Sequence, residues 1–111
     1  PKVLISKSKK DKLVLSKALN FSCLVTTQAE DITCFNQNSI TILNTCKEVY
    51  TVYDNDLKGK TASWALTNNF GWKHCNVPDE LLKNGVSDFA DWAKITNLKT
   101  IEDYFKLKNI I

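Results

Sequence analysis

Apolar and polar positions alternate in blocks along this chain. The run KVLIS (Lys2–Ser6) is almost wholly apolar, as in a strand buried on both faces, and the polar stretch KSKKD follows it. Val14 and Ala18, and Leu15 and Leu19, then recur at four-residue spacing, which predicts a helix over 9–19. SCLVTT predicts a second strand over 22–27, and beyond the polar QAED the residues Ile40, Ile42 and Leu43 suggest a helix over 38–45. EVYTVY, from Glu48 onward, reads as the third strand. Ala62, Ala65, Leu66 and Phe70 mark the core face of the next helix, which Gly71 is placed to end in the left-handed conformation. WKHCNVP reads as a shorter fourth strand stopped by Pro78. Two helical pieces close the chain, over 88–95 and 101–108, the second introduced by Thr100 with Asp103 three residues on, a capping-box spacing.

Strands that alternate with helices predict a parallel sheet with helices on its faces, here a four-stranded α/β fold of Rossmann-like type. In such sheets ligands bind beyond the carboxyl ends of the strands, and the segment VYDNDLKGKTAS places Asp54 and Asp56 at that edge. Two carboxylates one residue apart can face one point in front of the sheet. Their repulsion is costly without a cation between them, and magnesium favours such oxygen ligands while keeping waters for a phosphate partner. The plain alternative is a polar turn that caps the helix beginning near Lys58. Asp88 and Asp91 also fit an N-cap and the position three residues into a helix.

Composition narrows the class without choosing the chemistry. A chain of 111 residues, 43% hydrophobic and 24% charged with few Gly or Pro, is one ordered globular domain over 1–111. A net charge of +3 permits contact with a polyanion but is far from the charge density of a histone-like protein. Cys23, Cys34, Cys46 and Cys75 form no CxxC pair and read as reduced, mostly buried thiols of a cytosolic protein. With no apolar run long enough to span a membrane and no signal-peptide pattern, the expectation is a soluble, cytoplasmic chain. Starting at Pro1 without an initiator Met, it is expected to be a processed protein or a domain of a longer one.

VLISKSKKDKLVL, VYDNDLKGKTASWAL and GVSDFADWAK follow one another at spacings that resemble the toprim domain of bacterial and phage primases, topoisomerases and some nucleases. The likeness covers roughly residues 2–95, leaves a C-terminal helix over about 100–111, and is nearest the DNA primase or primase-helicase type. It implies a metal-dependent nucleotidyltransferase domain of DNA replication in a bacterial or phage-infected cell. Its partners would be DNA template, nucleotides and further primase or helicase domains, and its cofactor Mg2+ or Mn2+. By the same resemblance Asp54 and Asp56 match the metal-holding DxD, and Asp11 the aspartate four residues after the first motif's acidic residue. Asp88 and Asp91 match the late aspartates, with Asp88 as a metal ligand, although Ser87 stands where a lysine is usual. Gly59 matches the small residue that lets the helix start approach the site.

The departure is Lys7, which with Ser8 replaces the usual Glu-Gly of the first motif, the glutamate being the family's general acid or base. A lysine beside aspartates stays protonated and is no metal ligand. Three roles are open: Lys7 holds a substrate phosphate; it pairs with Asp54 or Asp56 and replaces the metal; or Glu30, near the tip of the second strand, supplies the missing carboxylate. Lys7, Lys9, Lys10 and Lys58 form the candidate phosphate or nucleic-acid contacts, with a solvated helix start as the plain reading of Lys9 and Lys10. His74 reads as structural, and Trp64, Trp72 and Trp92 as core residues before base-stacking platforms. The rival functions are a small toprim nuclease and a module that kept the fold, lost the chemistry, and binds nucleic acid or protein.

Overall fold

The computed structural model of the protein describes residues 2–20, 24–27, 37–46 and 48–111. The strands β1 (Lys2–Ser6), β2 (Leu24–Thr27), β3 (Glu48–Thr51) and β4 (Lys73–His74) form one sheet in the spatial order β2-β1-β3-β4, with every neighbouring pair parallel. Around it lie the helices α1 (Lys9–Ala18), α2 (Gln37–Asn44), α3 (Leu57–Phe70), α4 (Phe89–Ile95) and α5 (Leu98–Leu107), with a 3-10 helix over Asp79–Asn84.

Strand alternation sends neighbouring side chains to opposite faces, and both faces are covered. Leu4, Tyr50 and Val52 pack in a core with Leu15 and Leu19 from the α1 region, Phe89 and Trp92 of α4, and Ile101 and Phe105 of α5. Val3, Ile5, Val49 and Tyr53 pack in a second core with Leu66 of α3 and Trp72. Burial on both sides explains why KVLIS carries no polar alternation. The amphipathic α5 buries Ile101 and Phe105 in the first core, so the C-terminal helix is part of the same packed unit.

The starts of α1, α3, α4 and α5 each have a side-chain cap that satisfies an otherwise orphaned N–H. Ser8 accepts from the Asp11 N–H, Asp56 from Gly59, Asp88 from Asp91 and Asn97 from Thr100. Gly71 ends α3 in the left-handed conformation with φ 72°.

Two expectations need correction, and one element, the 3-10 helix, has no counterpart among them. The fourth strand is two residues long, because Lys73 and His74 lie exposed at the sheet edge and the chain turns away at Asn76, whose side chain binds the backbone of Tyr53 and Asp54. DELLKN, which carries no strong periodicity, forms the 3-10 helix. The last helix begins one turn earlier than the Thr100 spacing suggests. Asn97 is its cap, its Oδ1 accepting from both the N–H and the hydroxyl of Thr100. Among the described residues no helix is long and apolar enough to cross a membrane.

Trp72 and Trp92 are buried, whereas Trp64 is exposed, its ring tilted against His74 at 5.5 Å between centroids. His74 Nδ1 lies 3.3 Å from the Thr67 hydroxyl. Cys75 is buried and Cys46 half-buried, both free; Cys23 and Cys34 lie outside the described residues.

Candidate metal centre

All four strands run in the same direction, so the ends of β1 and β3 open on one edge, and the chain leaves each to start a helix there. At this edge the carboxylates of Asp11, Asp54 and Asp88 offer oxygens that lie within 4.8 Å of one another. They come from three separated segments: the first turn of α1, the extended chain after β3, and the cap of α4.

Local structure fixes each one. Asp11 sits three residues after the Ser8 cap, in the first turn of α1, and is fully buried. Its Oδ1 accepts the Ala90 N–H at 2.8 Å, which ties α1 to the start of α4. Asp54 is 7% exposed and follows Val52 and Tyr53, which continue the line of β3; the Val52 N–H still donates to Ile5 O. Asp88 is half-buried and uses Oδ1 to accept the Asp91 N–H at 2.7 Å, so capping leaves its second oxygen for other work.

Three carboxylates this close are electrostatically expensive when all are ionised. Burial pushes the Asp11 carboxyl up to about 7; the Ala90 N–H acts against the shift, while the charges of Asp88, Asp54 and Asp91 add to it. Asp11 Oδ2 is buried and has no hydrogen-bond partner among the described residues. A buried carboxylate oxygen without a donor costs free energy unless a cation or proton meets it. The donor set is all carboxylate oxygen, the chemistry that suits Mg2+, Mn2+ or Ca2+ rather than a soft metal. The residues present therefore fit a hard divalent cation.

The remaining candidates fall into place around this cluster. Asp56 turns away into the α3 cap, its Oδ1 2.8 Å from the Gly59 N–H, and does not belong to the acidic group that gathers Asp11, Asp54 and Asp88. Asp91 interacts with the Ser87 hydroxyl at 3.4 Å and with Lys94 at 3.8 Å. Lys7 is exposed in the bend after β1, Lys9 and Lys10 are exposed in the first turn of α1, and Lys58 is exposed in the first turn of α3. Glu30 lies outside the described residues. A groove along the β4 edge, lined by Lys60, Trp64, Trp72, Lys73 and Tyr104, includes none of the three clustered carboxylates.

Sequence reasoning passed over Asn55 and Asn76. Asn76 Nδ2 bridges Tyr53 O at 3.1 Å and Asp54 O at 2.9 Å, joining the ends of β3 and β4. Asn55 binds carbonyls of Pro78 and Val86. An asparagine between two aspartates reads locally as turn filler, and partners so distant in sequence leave no trace in the pattern around it. Compared with protein-family models and with curated proteins, the chain matches none.

Proposed function

We propose that this chain is a toprim-type domain of a DNA primase or primase-helicase, holding a divalent cation on Asp11, Asp54 and Asp88 and handling nucleotide or DNA phosphates at the same sheet edge. The observation that carries the metal reading is the convergence of three carboxylates from three segments, one of them with a fully buried oxygen that no donor among the described residues meets. The step from a metal site to a primase rests on the sequence resemblance. When bound, magnesium or manganese supplies positive charge for phosphate oxygens that build up charge during phosphoryl transfer.

The chain's own residues divide the remaining work. Asp11 and Asp54 give buried oxygens from fixed backbone, and Asp88 adds one from a helix cap. Lys7, Lys9, Lys10 and Lys58, exposed on the turns that leave β1 and begin α1 and α3, are placed to meet phosphates approaching that edge. Two features favour, as a second reading, a module that kept the fold and binds nucleic acid or protein without chemistry. Lys7 stands where the resemblance calls for a glutamate, and Asp56, the second DxD carboxylate, serves the α3 cap.

Titration of the chain with Mg2+ and Mn2+, followed by NMR and calorimetry, tests the metal site. Binding that is lost in Asp54→Asn and measurably weakened in Asp88→Asn supports it; a parent chain that binds neither ion overturns it. Incubation of the metal-loaded chain with plasmid separates the nuclease rival, since a primase-type domain leaves the DNA intact.

A further inference from the structure

We infer that Asn55, the residue between the two aspartates, is the positioning residue that holds Asp88 in register with Asp54, an inference that rests on the metal reading of the acidic cluster. Asn55 is fully buried. Its Nδ2 donates to Pro78 O at 3.1 Å and to Val86 O at 3.0 Å, and its backbone N–H donates to Ser87 O at 3.0 Å. One residue thus grips both ends of the segment 78–87. Ser87 immediately precedes Asp88, and Asn55 immediately follows Asp54. The Asn55–Ser87 bond therefore joins the backbones of the two ligand-bearing segments one residue away from each carboxylate.

The segment needs such a tie. No residue of its 3-10 helix is buried, and the N-terminus of that helix has no side-chain cap. Full apolar burial is confined to its flanks, at Val77 and Val86, with Leu81 only partly buried against the same core. The chemistry at position 55 is specific to an amide donor. Both Nδ2 hydrogens meet carbonyl oxygens, while Oδ1 is buried and accepts no hydrogen bond among the described residues. Aspartate would set a charged oxygen against two carbonyls, and alanine would take the side-chain donor from Val86 O and leave Pro78 O with the Leu81 N–H alone.

A partner that orients a metal ligand commonly changes metal affinity by about 10- to 100-fold when removed. The test is a double-mutant cycle on the purified chain, with Mg2+ and Mn2+ affinities read by NMR for the parent, Asn55→Ala, Asp88→Asn and the double variant. Asn55→Ala is expected to weaken binding by about 10- to 100-fold in the parent. In the Asp88→Asn background it should cost little more, because a residue acting through Asp88 has nothing left to position. Hydrogen exchange should quicken across 79–88 in Asn55→Ala and stay slow in β1.

Unchanged affinity in Asn55→Ala overturns the positioning role alone, and so does an equal loss in both backgrounds, the signature of general destabilisation. A parent chain that binds neither ion overturns the metal reading and the positioning role together. Should Asn55→Ala fail to fold, Asn55→Ser, which retains one donor, carries the same comparison with the same outcomes.

Discussion

A Cβ atom at Gly59 would lie 2.2 Å from the backbone oxygen of Asp54. The first turn of α3 therefore rests directly on the chain that presents the Asp54 carboxylate, and the nearest atoms are backbone, which cannot rotate away. Gly59→Ala sets two effects against each other. Alanine favours a helix over glycine by about 1 kcal/mol. Overpacking against rigid atoms costs about 1–3 kcal/mol and more when the backbone must shift. The clash should win, giving a net loss of about 1–2 kcal/mol in urea denaturation together with weaker magnesium binding. A stabilised variant would show that α3 can slide off Asp54 without strain.

Asp56 and Asp54 should separate cleanly by experiment. Asp56→Ala removes the acceptor of the Gly59 N–H and is expected to cost about 1 kcal/mol of stability, most of it recovered in Asp56→Ser. Magnesium affinity should stay near the parent value in Asp56→Ser and vanish in Asp54→Asn. Loss of binding in Asp56→Ser would move Asp56 into the metal shell and displace the cap from its sole role.

These two aspartates also show what was legible in the sequence. Strand and helix blocks were readable because burial on both sheet faces makes KVLIS a near-continuous apolar run, because EVYTVY is rich in β-branched and aromatic residues, and because α1 repeats at four residues. The edge at which DND ends was readable from the βα alternation. Which carboxylates gather there was only partly readable. Asp54 and Asp56 are equivalent as text, and the divergence comes from α3, whose start at Leu57 makes Asp56 the cap. Asp11 and Asp88 join Asp54 through the packing of α1 against α4, a contact between residues 79 positions apart in the case of Asp11 and Ala90. The Asn55 clamp and the 3-10 helix have no local periodicity to announce them.

Asp11 gives a pH signature. Its folded pKa of about 7 lies above the ordinary 3.8, so between these values the folded chain keeps a proton that the unfolded chain has lost. Metal-free stability should therefore fall as pH rises from about 4 to about 7 and level off above that. Asp11→Asn removes the ionisation. In the presence of a chelator it should be more stable than the parent by about 1–3 kcal/mol at pH 8, with the gap closing near pH 4. Magnesium competes with the same proton, so parent affinity should climb through pH 7. Parallel pH profiles for parent and variant would show that Asp11 titrates normally.

Phe89 follows Asp88 and is fully buried, its ring 5.4 Å from Phe105, 6.2 Å from Trp92 and 6.4 Å from Tyr104 between centroids. This aromatic cluster seats α4, and with it the Asp88 cap. Phe89→Ala should cost about 3–5 kcal/mol in chemical denaturation. Phe89→Leu, which keeps most of the volume, should cost about 1–1.5 kcal/mol. A loss under 1 kcal/mol for the alanine variant would mean that α4 docks through other contacts.

Lys7 decides how phosphate enters the picture. It is exposed in the bend that follows β1, where a long side chain can reach ligands arriving at the carboxyl edge of the sheet. If it serves phosphate, its removal leaves the carboxylate cluster intact. Lys7→Ala should then bind magnesium as the parent does, and it should bind magnesium pyrophosphate more weakly, with a smaller dependence on salt because one cation fewer meets the ligand. Lys7→Glu, which restores the acidic residue of the resembled motif, should change magnesium affinity little by the same logic. A large gain in Lys7→Glu would carry the opposite message: the lysine would be standing in for the cation beside Asp54, and the carboxylates would be serving it in place of a metal.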